Sequence, residues 1–147
     1  MYDIHDEIDK YRWNPKFNTG YREIDENNRY LIKRLNDIFI FLLFANEPIT
    51  KLAIHLSDLI DFTALTLEGQ ELLMLRIKYP NVYDHINLHY SFIQAIQELK
   101  NAFAKLGPSE QFIVLLMNVY GNWLINHINN DDINIARYIE STSINLL

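Results

Sequence analysis

Apolar residues recur every three or four positions along most of this chain, the period of helices that bury one face. In the first run Ile24, Asn28, Leu31, Leu35, Ile38 and Leu42 fall in register, which predicts a helix over about 21–45, broken by Asn46-Glu47-Pro48. A second stripe holds Leu52, Leu56, Leu59, Phe62 or Thr63, Thr66, Gln70 and Leu73 and predicts a helix over about 49–78. Tyr79-Pro80 ends it, because the residue before a proline leaves the helical region. Gly69 interrupts this helix, either admitting a close neighbour or weakening the turn by about 1 kcal/mol relative to alanine. The third helix, about 81–105, turns His85, His89, Phe92, Ile96, Leu99 and Phe103 inward, and Gly107-Pro108 stops it. Ser109 is the expected N-cap of a fourth helix to about 129, with Phe112, Leu116, Val119, Trp123 and His127 on one stripe. Residues 129–132 read as a turn before a short final helix over about 133–143. Residues 1–20 have no clean period, and Trp13 to Gly20 reads as an ordered arm that lays aromatic rings on the body.

Four long amphipathic helices with short connections imply an all-α, antiparallel up-down-up-down bundle with an N-terminal arm and a short C-terminal helix. A length of 147 residues suits one domain over 1–147. In such a bundle, late positions of one helix meet early positions of the next. Asn28, Thr66, Gln70, His85, His89 and His127 therefore converge near one end of the core, where polar groups must be paired or metal-bound.

Composition narrows the chemistry. There are no cysteines, which excludes disulfides, thiolate metal sites and cysteine nucleophiles. The formal charge is −6 with no long basic run, which argues against nucleic acid as a partner. The run Ile38 to Ala45 is too short to span a bilayer, and acids occupy the N-terminus where a signal peptide has a basic end. The expectation is a soluble, cytoplasmic protein that neither spans nor binds a membrane. No Ser/His/Asp arrangement, paired carboxylates or glycine-rich phosphate loop stands out, so the residues give no catalytic assignment. His85 and His89 lie four residues apart on one helix face, the spacing by which a helix offers two ligands to one ion. His127, with Asp132 five residues on, is a third candidate.

Three stretches then carry a resemblance. Trp13, Phe17-Asn18-Thr19-Gly20, Ile24-Asp25-Glu26-Asn27-Asn28 and Leu31 form the first; Glu71-Leu72-Leu73-Met74, Tyr79-Pro80, His85, His89 and Phe92 the second; Trp123-Leu124, His127-Ile128 and Asp132 the third. Together, in this order and spacing, they resemble the signatures of the hemerythrin family, and specifically of its bacterial single-domain members. The resemblance implies a helical bundle whose core holds two irons through five histidines and two bridging carboxylates and binds oxygen reversibly. It places ligands at His85, His89, His127 and Asp132. It also places Asn28 and Thr66 where the family has histidines, and Gln70 where it has a bridging glutamate. In the family the three matching histidines serve one iron and the two missing ones serve the other. His5 and His55 stand at neither set of positions.

One half of the site is thus retained and the other erased. Three imidazoles and a carboxylate suit a single iron or zinc, with a diatomic such as oxygen or nitric oxide as the small ligand. The alternative is a metal-free bundle, an interaction or sensory module, in which Asn28, Thr66 and Gln70 pair with the histidines in a buried network. The protein partner of such a module is not named by any residue pattern.

Overall fold

A computed structural model describes residues 3–44 and 47–142. The arm begins with α1 (Ile4–Ile8), capped by the Asp3 carboxylate, which accepts from the His5 N–H at 2.9 Å. A 3-10 turn follows at Pro15–Phe17. The bundle is formed by α2 (Arg22–Phe44), α3 (Ile49–Arg76), α4 (Val82–Leu106) and a long fourth helix of three segments, α5 (Glu110–Leu116), α6 (Asn122–His127) and α7 (Ile133–Thr142). Asn46, in the first predicted break, and position 143, at the predicted end of the last helix, lie outside the described residues.

Each helix begins and ends for local reasons. Asp25 accepts from the Thr19 N–H, the Thr19 hydroxyl and the Gly20 N–H at 2.7–3.1 Å, tying the end of the arm to the first turn of α2. Gly20 sits at φ 92°, a region that favours glycine. After α3, Lys78 adopts φ 57° while Tyr79 N–H reaches Met74 C=O and Lys78 N–H reaches Leu75 C=O, the two bonds of a Schellman cap. Ser109 caps α5 through its hydroxyl, which accepts from the Phe112 N–H at 3.2 Å.

The interior stripes follow the 3.6 period. Leu31, Leu35, Phe39, Leu59, Ile96, Leu99 and Leu116 are buried in one apolar cluster, with α2 packed on α3, α3 on α4 and α4 on α5. On α3 it is Thr63, not Phe62, that is fully buried. Its hydroxyl donates to Leu59 C=O at 2.7 Å and accepts from the Tyr120 hydroxyl at 2.6 Å. Gly69 is exposed with open space around its missing Cβ, so it admits no neighbour and only weakens its turn. Gly69→Ala is expected to stabilise the fold by about 1 kcal/mol in urea unfolding, through helix propensity alone.

The expected turn at 129–132 is a correction. Ile128–Asp132 is a π-helical turn, with Ile133 N–H reaching Ile128 C=O five residues back, and α7 continues the fourth helix without leaving it. A second π turn, Met117–Gly121, lies between α5 and α6. There a Cβ on Gly121 would overlap the Tyr11 ring, 2.9 Å from Cδ1 and Cζ. This glycine, not Gly69, marks a close approach, and it seats the arm: the Tyr11 hydroxyl donates to Asn122 Oδ1 at 2.6 Å. No described helix is long and apolar enough to cross a membrane.

Candidate metal centre

His85 and His89 project from the first two turns of α4, and His127 ends α6; all three are buried. Asp132 closes the π turn Ile128–Asp132 and is fully buried. That turn explains how one helix supplies both His127 and Asp132. Residues five apart in an α-helix point about 140° apart at ~100° per residue, whereas an i→i+5 turn returns them towards one face.

The donor atoms converge. His85 Nε2 and His89 Nε2 each lie 3.1 Å from His127 Nε2. Asp132 Oδ1 lies 3.0 Å from His127 Nε2 and 3.5 Å from His85 Nε2, yet accepts no hydrogen bond. Nitrogen ligands about 2.0–2.1 Å from one ion stand roughly 2.9–3.4 Å from one another, which the two separations from His127 match. The surroundings orient these groups. Asn28 Nδ2 donates to Asp132 Oδ2 at 2.9 Å, leaving Oδ1 towards the histidines. His127 Nδ1 donates to Asp131 Oδ2 at 3.0 Å, which turns Nε2 inward. Trp123 stacks on the His127 ring at 4.3 Å and on Phe92 at 3.6 Å, fixing the ring plane. His89 Nδ1 lacks such a partner, with Glu71 Oε2 3.5 Å away and no hydrogen bond between them.

The other half is neutral. Gln70 is buried with Oε1 2.7 Å from His85 Nε2, and Thr66 is half-buried. Asn28, Thr66 and Gln70 share the lining of a cavity of about 10 Å³, room for no more than one water. Thr66 thus reaches the edge of the polar cluster and not its middle. Glu71 faces the outer nitrogen of His89, away from that cavity. His5 packs on Phe44 and His55 on Phe41, each at 5.0 Å.

No protein-family model matches the chain. It is 27% identical to a bacteriohemerythrin of Stenotrophomonas maltophilia over 122 residues, which is 82% of this chain and 75% of that one. It is 26% identical to a bacteriohemerythrin of Pseudomonas aeruginosa over 129 residues, 88% of this chain and 79% of that one. Myohemerythrin-1 of Phascolopsis gouldii is 25% identical over 122 residues, 83% and 88% of the two chains. The chain is hemerythrin-like. Its helical bundle and its cluster of His85, His89 and His127, which could hold a metal ion, agree with that family.

The charges of this hemerythrin-like core are unequal. Burial lowers the affinity of His127 for a proton, but Asp132 and Asp131 outweigh it and raise its pKa to about 9. Burial, then the nearby His127 and His85, push His89 down to about 2. Asp132 is buried, yet His127, His85 and Asn28 hold its pKa well below the ordinary value, so it stays ionised. In the metal-free protein one extra proton therefore resides on His127, held there by Asp132 and Asp131.

Linkage gives the stability profile. His127 contributes stability that is fully present below its ordinary 6.5 and is lost as pH rises through about 9. His89, neutral when folded, costs stability as pH falls below 6.5, where only the unfolded chain takes up the proton. The melting temperature of the metal-free protein is expected to peak near pH 6.5 and to fall on both sides. A maximum above pH 9 in scanning calorimetry would contradict this assignment.

Asp131 went unnoticed in the sequence. Its signal was the i,i+4 spacing from His127, hidden by reading that stretch as a turn. Tyr120 and Thr63, paired across the core, were not separable from ordinary stripe residues by spacing.

Proposed function

We propose that this hemerythrin-like protein binds a single transition-metal ion, iron or zinc, through His85, His89, His127 and Asp132. The observation that carries the reading is the convergence of three buried imidazoles, with His85 and His89 Nε2 each 3.1 Å from His127 Nε2, beside a fully buried Asp132 oxygen 3.0 Å from His127 Nε2 that accepts no hydrogen bond. The donor set suits one ion: three neutral imidazoles and a carboxylate are ligands for zinc or ferrous iron. It does not suit two, since Asn28, Thr66 and Gln70 are uncharged and their cavity is about 10 Å³. Bound ferrous iron with four protein ligands would retain positions for a small ligand such as oxygen or nitric oxide.

The remaining residues orient and admit. Asp131 holds the His127 ring, and Asn28 turns the Asp132 carboxylate. His85 also lines an outer depression with Asp84 and Asp131, so the centre lies beneath an acidic hollow that attracts cations. Ion uptake requires the extra proton on His127 to leave. Cobalt(II), a coloured substitute, tests the reading. Its visible bands should saturate at one ion per chain. Its affinity should rise about tenfold per pH unit below about 9, because one proton is displaced. An end point at zero or two, or an affinity independent of pH, would count against it.

The metal-free network is the second reading. It is supported by the Gln70–His85 and Asn28–Asp132 contacts, which satisfy most of the buried polar atoms without an ion. The same titration separates the two.

A further inference from the structure

A cavity of about 410 Å³ lies away from the histidine cluster, between the arm and α2. Tyr11, Ile32 and Ile40 give it an apolar floor, and Trp13 forms one wall. Its rim carries Arg12, Arg29 and Lys33 against a single acid, Asp37, in a chain whose net charge is −6. Arg12 is engaged by Asp9 at 3.3 Å and Lys33 by Asp37 at 3.4 Å. Arg29 has no carboxylate partner among the described residues, and its guanidinium lies 5.1 Å over the Trp13 ring. Stacking on an aromatic face fixes the guanidinium plane and leaves its fork of donors free for a planar anion.

A second observation concerns the walls themselves. Trp13 Nε1 and Asn36 Nδ2 are both buried without a hydrogen-bond partner, and both belong to side chains that line this cavity. Native proteins leave few such donors unpaired, and those that exist commonly await a water, an ion or a ligand. A concave apolar pocket of this size with a few polar groups is the form that sites for small organic molecules take.

The geometry points to a binding site for a small organic anion with a flat apolar body, its carboxylate on Arg29 and its body against Trp13 and Ile40. The size excludes a bare inorganic ion as the fitting occupant: the floor would stay uncovered. The site is independent of the metal proposal, since its lining includes none of His85, His89, His127 and Asp132.

The test uses 1-naphthylacetate as probe on the full chain, with calorimetry and the two indole N–H resonances of Trp13 and Trp123 as readouts. Trp13→Phe assigns the indole signals. Saturable one-to-one binding is expected, with a shift of the Trp13 signal and none of Trp123. Arg29→Gln, an exposed position, should weaken binding about tenfold or more, the scale of a lost charge-assisted bidentate contact. On the unaltered protein the neutral alcohol 2-(1-naphthyl)ethanol should bind about tenfold more weakly than the acid. No saturation at millimolar probe, a shift of Trp123 instead of Trp13, or equal binding of acid and alcohol would overturn the assignment. So would unchanged affinity in Arg29→Gln, or inorganic phosphate binding as tightly as the naphthyl acid.

Discussion

Replacing His89 with alanine is expected to weaken metal binding by well over a hundredfold while leaving a folded protein. Loss of an outer partner of a ligand alone costs about 10–100-fold, and here a proposed ligand itself is removed. His89 is neutral in the metal-free core, and Asp132 keeps His127 and Asn28 as partners after the change. His127→Ala differs. It strips the imidazolium that faces Asp132, a fully buried carboxylate, and leaves an uncompensated charge that costs roughly 3–5 kcal/mol. Urea unfolding in the presence of a chelator should therefore show His127→Ala less stable than His89→Ala by roughly 3 kcal/mol, although both lose the ion. Equal destabilisation would mean that the proton and the charge pair are not arranged as described.

The triple change Asn28→His, Thr66→His, Gln70→Glu is expected to raise the metal count from one to about two per chain. It supplies two imidazoles and a carboxylate bridge from side chains that already line one small cavity. Gln70→Glu is isosteric, and the new carboxylate would stand beside His85 as Gln70 Oε1 does at 2.7 Å. Half-buried Thr66 leaves room for a larger ring to grow towards the surface. Asn28→His gives up the hydrogen bond to Asp132, so the metal-free variant should be less stable than its parent by about 1–3 kcal/mol. Loaded anaerobically with ferrous iron and then exposed to air, the variant should gain near-ultraviolet charge-transfer absorption that the unaltered protein lacks. The same absorption in the unaltered protein would refute the contrast between the two halves.

The bundle was legible because its helices bury one stripe each, and the period survives polar interruptions such as Asn28 and Gln70. The breaks at Pro48, Tyr79-Pro80 and Gly107-Pro108 are local chemistry and fell where they were read. What escaped were shifts in register. A π turn inserts one residue into the helical count, so 129–132, rich in Asn and Asp, looked like a turn when it was a wider helical turn. The i,i+5 spacing of His127 and Asp132 held that information, since both can face one centre only if the helix widens between them. Thr66 and Thr63 show the limit on the other side. They are three residues apart on one stripe, and only the packing of Tyr120 decides which is enclosed. The seat of the arm was invisible for a related reason: Gly121 reads as a helix-weakening residue until Tyr11 is laid against it.

The most direct test of a single retained half-site is the mass of the intact, folded protein after anaerobic loading with excess ferrous iron and removal of loose metal. One iron per chain is expected, falling to none in His89→Ala. Two irons bound by the unaltered chain, or none, would contradict it.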